Sequence, residues 1–243
     1  MTNVAIILAG GIGSRVGAKI PKQFIEVLGR PVLAYTLECF EQHPLVDAIE
    51  VVCINSYIDR LKEIIATEKF KKIRWITQGG ASFQESVING INNLKAELSN
   101  SDQVLIHYGA SPMVSADIIT DAINICKEHG NASPASSQIY LAAKRSTPDY
   151  SDEWVNRDDV MCLNSPQVLN FGYLKELYRR SEELGLLNEV EPHTTSLMLA
   201  LHERIYFSKN TTSNIKITTK DDLALFEGWL LRQRFHKANI TEK

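Results

Sequence analysis

Over its first 130 residues the chain switches repeatedly between two hydrophobic periods, and this alternation limits the possible folds more than any other feature. "VAIIL" (4–8), "AIEVVCI" (48–54), "IRWIT" (73–77) and "QVLIH" (103–107) are short β-branched runs of the kind buried in a largely parallel sheet. Helical patterns separate them. "PVLAYTLECFEQ" has Pro31 at a first-turn position and sets Val32, Leu33, Leu37 and Phe40 on one face. "IDRLKEIIATEKF" and "QESVINGINNLKAEL" repeat that pattern, and "SADIITDAINICKEHG" runs from a capping serine to Gly130. The alternation predicts an α/β fold, a doubly wound and mostly parallel sheet with ligands at the carboxyl ends of its strands.

Residues 132–165 break the pattern. They are polar, lack a helical period and end in "CLNSPQ", which predicts a functional loop or a projecting arm that packs on a partner. Beyond them the sequence predicts helices near 171–184 and 194–203, a strand pair "RIYFS" and "NIKIT", and a closing helix from about Lys220 to Phe235. No internal repeat, low-complexity tract or linker interrupts the chain. Residues 1–243 therefore read as one domain with an arm at about 132–165.

A net charge of −3 leaves no global basic field, so neither nucleic acid nor membrane is expected as the main partner. Cys39, Cys53, Cys126 and Cys162 are scattered, without a CxxC or a metal-ligand spacing, and read as free thiols of a reducing compartment. The histidines, His107 and His193 among them, show no metal spacing and read as satisfied or solvent-exposed side chains. No basic leader precedes the first strand and no apolar stretch reaches membrane-spanning length, so a soluble, cytoplasmic protein is expected.

The chemistry is concentrated in "LAGGIGSRVGAKIPKQF", Leu8 to Phe24, directly after the first strand. Gly10, Gly11 and Gly13 leave bare amides that can approach phosphate oxygens closely. The dinucleotide fingerprint fails at Val16, and no GK[ST] closes a P-loop. A tight strand-to-helix turn would leave Arg15, Lys19 and Lys22 unexplained, whereas three cations beside a glycine loop suit a polyphosphate.

"LAGGIGSR…PKQF…LGRPVL" resembles the signature of sugar- and polyol-phosphate nucleotidyltransferases, whose fold is Rossmann-like and akin to GT-A. With "QGGASFQESVINGI", "SPQVL" and "NIKITTKDDLALFE" in order from Val4 to about Leu231, the chain is similar to the cytidylyltransferase branch. That branch holds the methylerythritol-phosphate enzymes of isoprenoid synthesis and the ribitol-5-phosphate enzymes of teichoic acid and capsule synthesis.

The resemblance implies transfer of CMP from CTP to a phosphorylated polyol, with release of pyrophosphate, by a homodimer. Leu8, Ala9, Gly10, Gly11, Ile12 and Gly13 would hold the nucleotide through backbone groups, and Gly80 and Ser86 would read the cytosine edge. Arg15, Lys22 and Lys216 would be catalytic. Tyr108, Ser111, Arg157 and Thr194 would face the acceptor, with Arg157 reaching across a dimer. Mg²⁺ would be carried mainly by the CTP phosphates, with no protein ligand assigned. Ser86 also fits a helix N-cap, and Lys216 also fits a lysine snorkelling from a sheet edge.

The chain departs from the family pattern on the acceptor side. Tyr108 and Ser111 stand where a "DAxRP" segment is usual, Phe83 where an arginine is common, and Thr195 where aspartate usually follows threonine. An altered acceptor is the reading for an active enzyme, and a nucleotide-binding protein without turnover is the rival. A dinucleotide oxidoreductase is disfavoured by Val16 and by the missing second strand.

Overall fold

In the computed structural model, which describes residues 1–11 and 20–241, alternate residues of the first strand, β1 (Asn3–Ala9), enter opposite cores. Ala5, Ile7 and Ala9 pack with Leu33, Leu37, Phe40, Leu61 and Ile118. Val4 and Ile6 pack with Val87, Ile91, Leu174 and Leu197. A strand apolar on both faces needs a helical layer on each side, and the rest of the chain supplies them.

A short hairpin of β2 (Glu26–Val27) and β3 (Arg30–Pro31) leads into α1 (Val32–Glu41). Pro31 lies one residue earlier than expected, at the N-cap rather than inside the first turn. Then follow β4 (Ala48–Cys53), α2 (Ile58–Glu68), β5 (Ile73–Gln78), α3 (Phe83–Leu94), β6 (Gln103–Tyr108) and α4 (Ala116–His129). The Ser115 hydroxyl accepts from the Ile118 amide to start α4, and Gly130, at a φ of 87°, ends it in the left-handed region that favours glycine.

After α4 come β7 (Asn131–Ser137), β8 (Ala142–Lys144), β9 (Glu153–Val155), β10 (Met161–Leu163) and β11 (Gln167–Asn170). The chain closes with α5 (Phe171–Glu183), α6 (Thr194–Ala200), β12 (Phe207–Ser208) and α7 (Lys220–Thr241). Among the described residues the central sheet has eight strands in the order β10-β7-β11-β6-β1-β4-β5, with β12 added on β7. The β6-β1-β4-β5 block is parallel, and β11 enters antiparallel between β6 and β7. The fold is thus α/β with a mixed, mostly parallel sheet.

Connections from β1 step outward through β4 to β5, and then return to place β6 on the other side of β1. This reversal puts a crevice at the carboxyl ends of β1 and β6, where Leu8 pairs with Tyr108.

Three sequence expectations change. Residues 132–165 are not irregular throughout, because β7 lies inside the central sheet, β10 pairs with it, and β8 pairs with β9. Only 138–160 leaves the sheet, as a hairpin excursion whose Leu141 and Trp154 are 92% and 81% exposed. The strand pair "RIYFS" and "NIKIT" does not form. Phe207 and Ser208 pair with β7 instead, and 214–218 runs without a ladder, tied by the Ile217 amide to the Ala110 carbonyl at 2.8 Å. The helix expected near 194–203 stops at Ala200, where His202 takes a φ of 56°. Among the described residues no helix is long and apolar enough to cross a membrane.

Candidate active site

A cavity of about 480 Å³ opens at the crevice between β1 and β6. One side is built from bare backbone. Gly10 and Gly79 approach closely: a Cβ added to Gly79 would meet the Gly10 Cα at 3.3 Å, and one added to Gly10 would meet the Ser86 Oγ at 3.3 Å. At Gly80 a Cβ would fall 2.3 Å from the Cβ of Glu85, so no side chain fits there.

Gln23 holds the glycine loop from behind. It sits in a short 3₁₀ turn, Lys22–Phe24, anchored by Phe24 stacking on Tyr57 at 4.6 Å. The buried amide of Gln23 donates to the carbonyls of Ala9 at 2.7 Å and Gly11 at 3.0 Å, and the preceding residue, Lys22, faces the cavity.

Ser86 is not the N-cap of α3. That position belongs to Ser82, whose hydroxyl accepts from the Glu85 amide at 3.1 Å, while the Glu85 carboxylate reaches back to the Ala81 amide at 2.7 Å. Ser86 stands one turn further on. Its hydroxyl donates to the Ser82 carbonyl at 2.9 Å and accepts from the Gly80 amide at 3.1 Å. With its only proton committed inward, Ser86 offers a ligand a lone pair and nothing else.

The opposite wall is aromatic. Tyr108, the last residue of β6, packs against Phe83 at 5.9 Å between ring centroids and meets His193 through its hydroxyl, 2.6 Å from Nδ1. The Lys216 ammonium lies over the Tyr108 ring at 3.8 Å. Burial raises the Tyr108 pKa, with a smaller push from Glu191, so the phenol keeps its proton. Burial also lowers the His193 pKa, helped by Lys216 and opposed by Glu191, so the imidazole is neutral at pH 7. With the Glu191 carboxylate 3.6 Å from Nε2, the favoured tautomer has its proton on Nε2 and accepts at Nδ1.

Leu8, Gly10, Gly11, Lys22, Gly80, Ser86, Tyr108 and Lys216 all line the cavity. Ile12, Gly13 and Arg15 lie outside the described residues. Ala9 is buried and contributes its carbonyl to Gln23. Lys216 does not snorkel from a sheet edge, because its segment is not a strand.

Ser111 and Thr194, assigned to the acceptor, do not line the cavity, and neither does Arg157, which the resemblance assigns to the site of a second copy. Ser111 is fully buried, its carbonyl bonded to His107 Nε2 at 3.0 Å and its hydroxyl without a partner among the described residues. Thr194 is buried against the Tyr178 hydroxyl at 3.0 Å. Arg157 is exposed on the hairpin excursion and donates to the Ile139 carbonyl at 3.4 Å.

His107 is the satisfied core histidine that the sequence suggested. Burial lowers its pKa to about 4, its Nε2–H serves the Ser111 carbonyl, and its Nδ1 accepts from the Ser165 hydroxyl at 2.8 Å. His193 is not of that kind. The absence of metal spacing tests only for metal binding, and the partner that draws His193 into the site is 85 residues away in the chain. Gln23 was visible in "PKQF", but the carbonyls it serves belong to a folded loop.

The cavity thus joins two lysines, a backbone cradle and a wall of neutral hydrogen-bonding groups, a set suited to binding a phosphorylated, hydroxyl-bearing ligand and stabilising charge on phosphorus. Glu191 is the one carboxylate among its described lining residues, and no cluster of His, Cys, Asp or Glu there could hold a metal ion. These residues do not fit a protein-held Mg²⁺ site, which takes its oxygens from carboxylates, phosphates and water.

Residues 3–232 match the family model "2-C-methyl-D-erythritol 4-phosphate cytidylyltransferase". A relative from Lacticaseibacillus paracasei, named ribitol-5-phosphate cytidylyltransferase, is 35% identical over 93% of this chain and 97% of its own length. A relative from Clostridium tetani, named 2-C-methyl-D-erythritol 4-phosphate cytidylyltransferase, is 32% identical over 98% of this chain and 94% of its own. Among solved structures, the 2-C-methyl-D-erythritol 4-phosphate cytidylyltransferase of Francisella tularensis superposes with a TM-score of 0.78 at 27% identity, covering 94% of this chain and 99% of that one.

Proposed function

The chain belongs to the 2-C-methyl-D-erythritol 4-phosphate cytidylyltransferase family, and from that premise we propose that it transfers CMP from CTP to ribitol 5-phosphate or a closely similar open-chain polyol phosphate. The family fixes the reaction class, cytidylyl transfer to a polyol phosphate. The observation that carries the acceptor is the wall at Tyr108, where a phenol and a neutral imidazole offer hydrogen bonds, with Glu191 the one carboxylate among the described lining residues. Such a wall suits a run of hydroxyl groups.

A phosphate oxygen of the acceptor attacks the α-phosphorus of CTP, the new P–O bond forms, and the bond to the bridging oxygen of pyrophosphate breaks in line with it. Phosphate is nucleophilic at neutral pH, so no general base is needed. What the protein supplies is alignment and compensation of charge on the transferring phosphorus and the leaving group. Lys22 and Lys216 face the cavity for that role, and the family likeness assigns the same role to Arg15. Their presence favours turnover over mere binding. A divalent ion would arrive with the triphosphate, because the described lining residues supply no cage for it.

Base choice rests on Ser86. A lone pair with no free proton accepts from the 4-amino group of cytosine, in whose place uracil carries the acceptor O4. Pyrophosphate release from CTP, UTP, ATP and GTP with one polyol phosphate tests this reading. CTP is expected to dominate, and equal turnover of UTP contradicts it.

The hairpin excursion is the proposed dimer contact. Ile139, Tyr140, Leu141, Tyr150 and Trp154 are exposed together on 138–160, an apolar surface that a two-stranded ribbon cannot cover by itself. A second copy of the chain covers it, and carries Arg157 towards the acceptor phosphate of its partner.

A further inference from the structure

We propose that His193 is a specificity-determining residue for the acceptor, its Nε2–H donating to one hydroxyl of the polyol phosphate, with Tyr108 as the residue that positions it. The inference rests on the cytidylyltransferase reading above. The Glu191 carboxylate stands on the Nε2 side of the ring, so the tautomer that suits both neighbours accepts from the Tyr108 hydroxyl at Nδ1, 2.6 Å away, and keeps a directed donor on Nε2 of the cavity-lining ring.

That donor is under-used. The nearest anionic oxygen, Oε1 of Glu191, is 3.6 Å from Nε2, beyond hydrogen-bonding distance, and the Glu191 side chain is 75% exposed and able to yield. A hydroxyl both donates and accepts, so one entering here would accept from His193 and donate to Glu191.

The surrounding residues prevent the imidazole from turning away. Phe83 packs against its ring in a T-shaped contact at 5.5 Å and against Tyr108 at 5.9 Å. Lys216 covers Tyr108 and disfavours a charged imidazole. His193 also immediately precedes α6, whose Leu197 amide bonds back to the His193 carbonyl, so its backbone is fixed as well. A donor held at both ends discriminates by position. An acceptor lacking the matched hydroxyl leaves that donor facing only the loose carboxylate.

The test is steady-state kinetics with CTP, ribitol 5-phosphate and its monodeoxy analogues, on the full chain and on His193→Phe, His193→Gln and Tyr108→Phe. In the unaltered chain, removal of one particular hydroxyl is expected to lower kcat/KM about tenfold or more, the effect of one directed hydrogen bond. His193→Phe should lose that discrimination while its KM for CTP stays unchanged, and His193→Gln, which keeps a donor, should restore part of it. Tyr108→Phe should weaken the same discrimination, and the Tyr108→Phe/His193→Phe pair should be no worse than His193→Phe alone. Unchanged discrimination in His193→Phe, or additive losses in the pair, overturns the inference while leaving the cytidylyltransferase intact. Turnover of no polyol phosphate by the unaltered chain overturns the reading beneath it.

Discussion

The side-chain amide of Gln23 donates to the carbonyl of Ala9 at 2.7 Å, and with that bond the glycine loop is held to the turn that carries Lys22. Gln23→Leu would keep the bulk and remove the donor from two carbonyls. The expected cost is about 1–3 kcal/mol of stability, the usual penalty for stranding buried polar groups. A rise in the KM for CTP should accompany it. A thermal melt and a CTP titration check both, and a variant with unaltered melting and CTP affinity would show that the loop is held by something else.

Lys22→Ala and Lys216→Ala should each lower turnover by about a hundredfold or more, with the fold intact, because loss of one charge-stabilising group costs about 2.7–4 kcal/mol in the transition state. The lysines face the cavity, so circular dichroism should not change. A well-folded Lys22→Ala variant with near-normal kcat would contradict the mechanism.

The parallel block of the sheet and the helices flanking it were legible because their signals are local. β-branched runs, a capping serine at Ser115 and Gly130 at a helix end each act within a few residues. The loop at Gly10 was legible because glycine and lysine chemistry does not depend on distant partners. What sequence could not show depends on register. "NIKIT" has the alternation of a strand, but Ile217 is consumed by a core with Phe226 and Leu230 and finds no ladder. Tyr108, Phe83 and His193 stand far apart in the chain, and only the fold makes them one wall.

Glu50 should make stability depend on pH. It is fully buried in β4, with Oε1 bonded to Thr77 at 2.6 Å and to Asn93 at 3.0 Å, and Oε2 without a partner among the described residues. Burial raises its pKa to about 7, partly countered by those two bonds. A carboxyl group that binds its proton more tightly when folded stabilises the native state at low pH. That contribution is lost as pH rises from the ordinary carboxylate value through 7, by an amount on the order of 3 kcal/mol. Glu50→Gln should flatten this slope in melting curves taken between pH 5 and 8. Identical slopes in the two proteins would count against it.

The hairpin excursion should make the protein a dimer in solution. Leu141→Glu with Trp154→Glu should yield a folded monomer, because both side chains lie on the surface of the chain. Its acceptor KM should rise, since Arg157 would no longer reach a neighbouring site. Sedimentation gives the mass and kinetics the rest, and a fully active monomer of the unaltered chain rules the contact out.

Pyrophosphate release from CTP, with ribitol 5-phosphate, other pentitol phosphates and 2-C-methyl-D-erythritol 4-phosphate compared at equal concentration, tests the acceptor assignment most directly. The wall of Tyr108 and His193 predicts that a pentitol phosphate, with ribitol 5-phosphate foremost, gives the highest kcat/KM. Faster turnover of 2-C-methyl-D-erythritol 4-phosphate than of every pentitol phosphate in the set would contradict it.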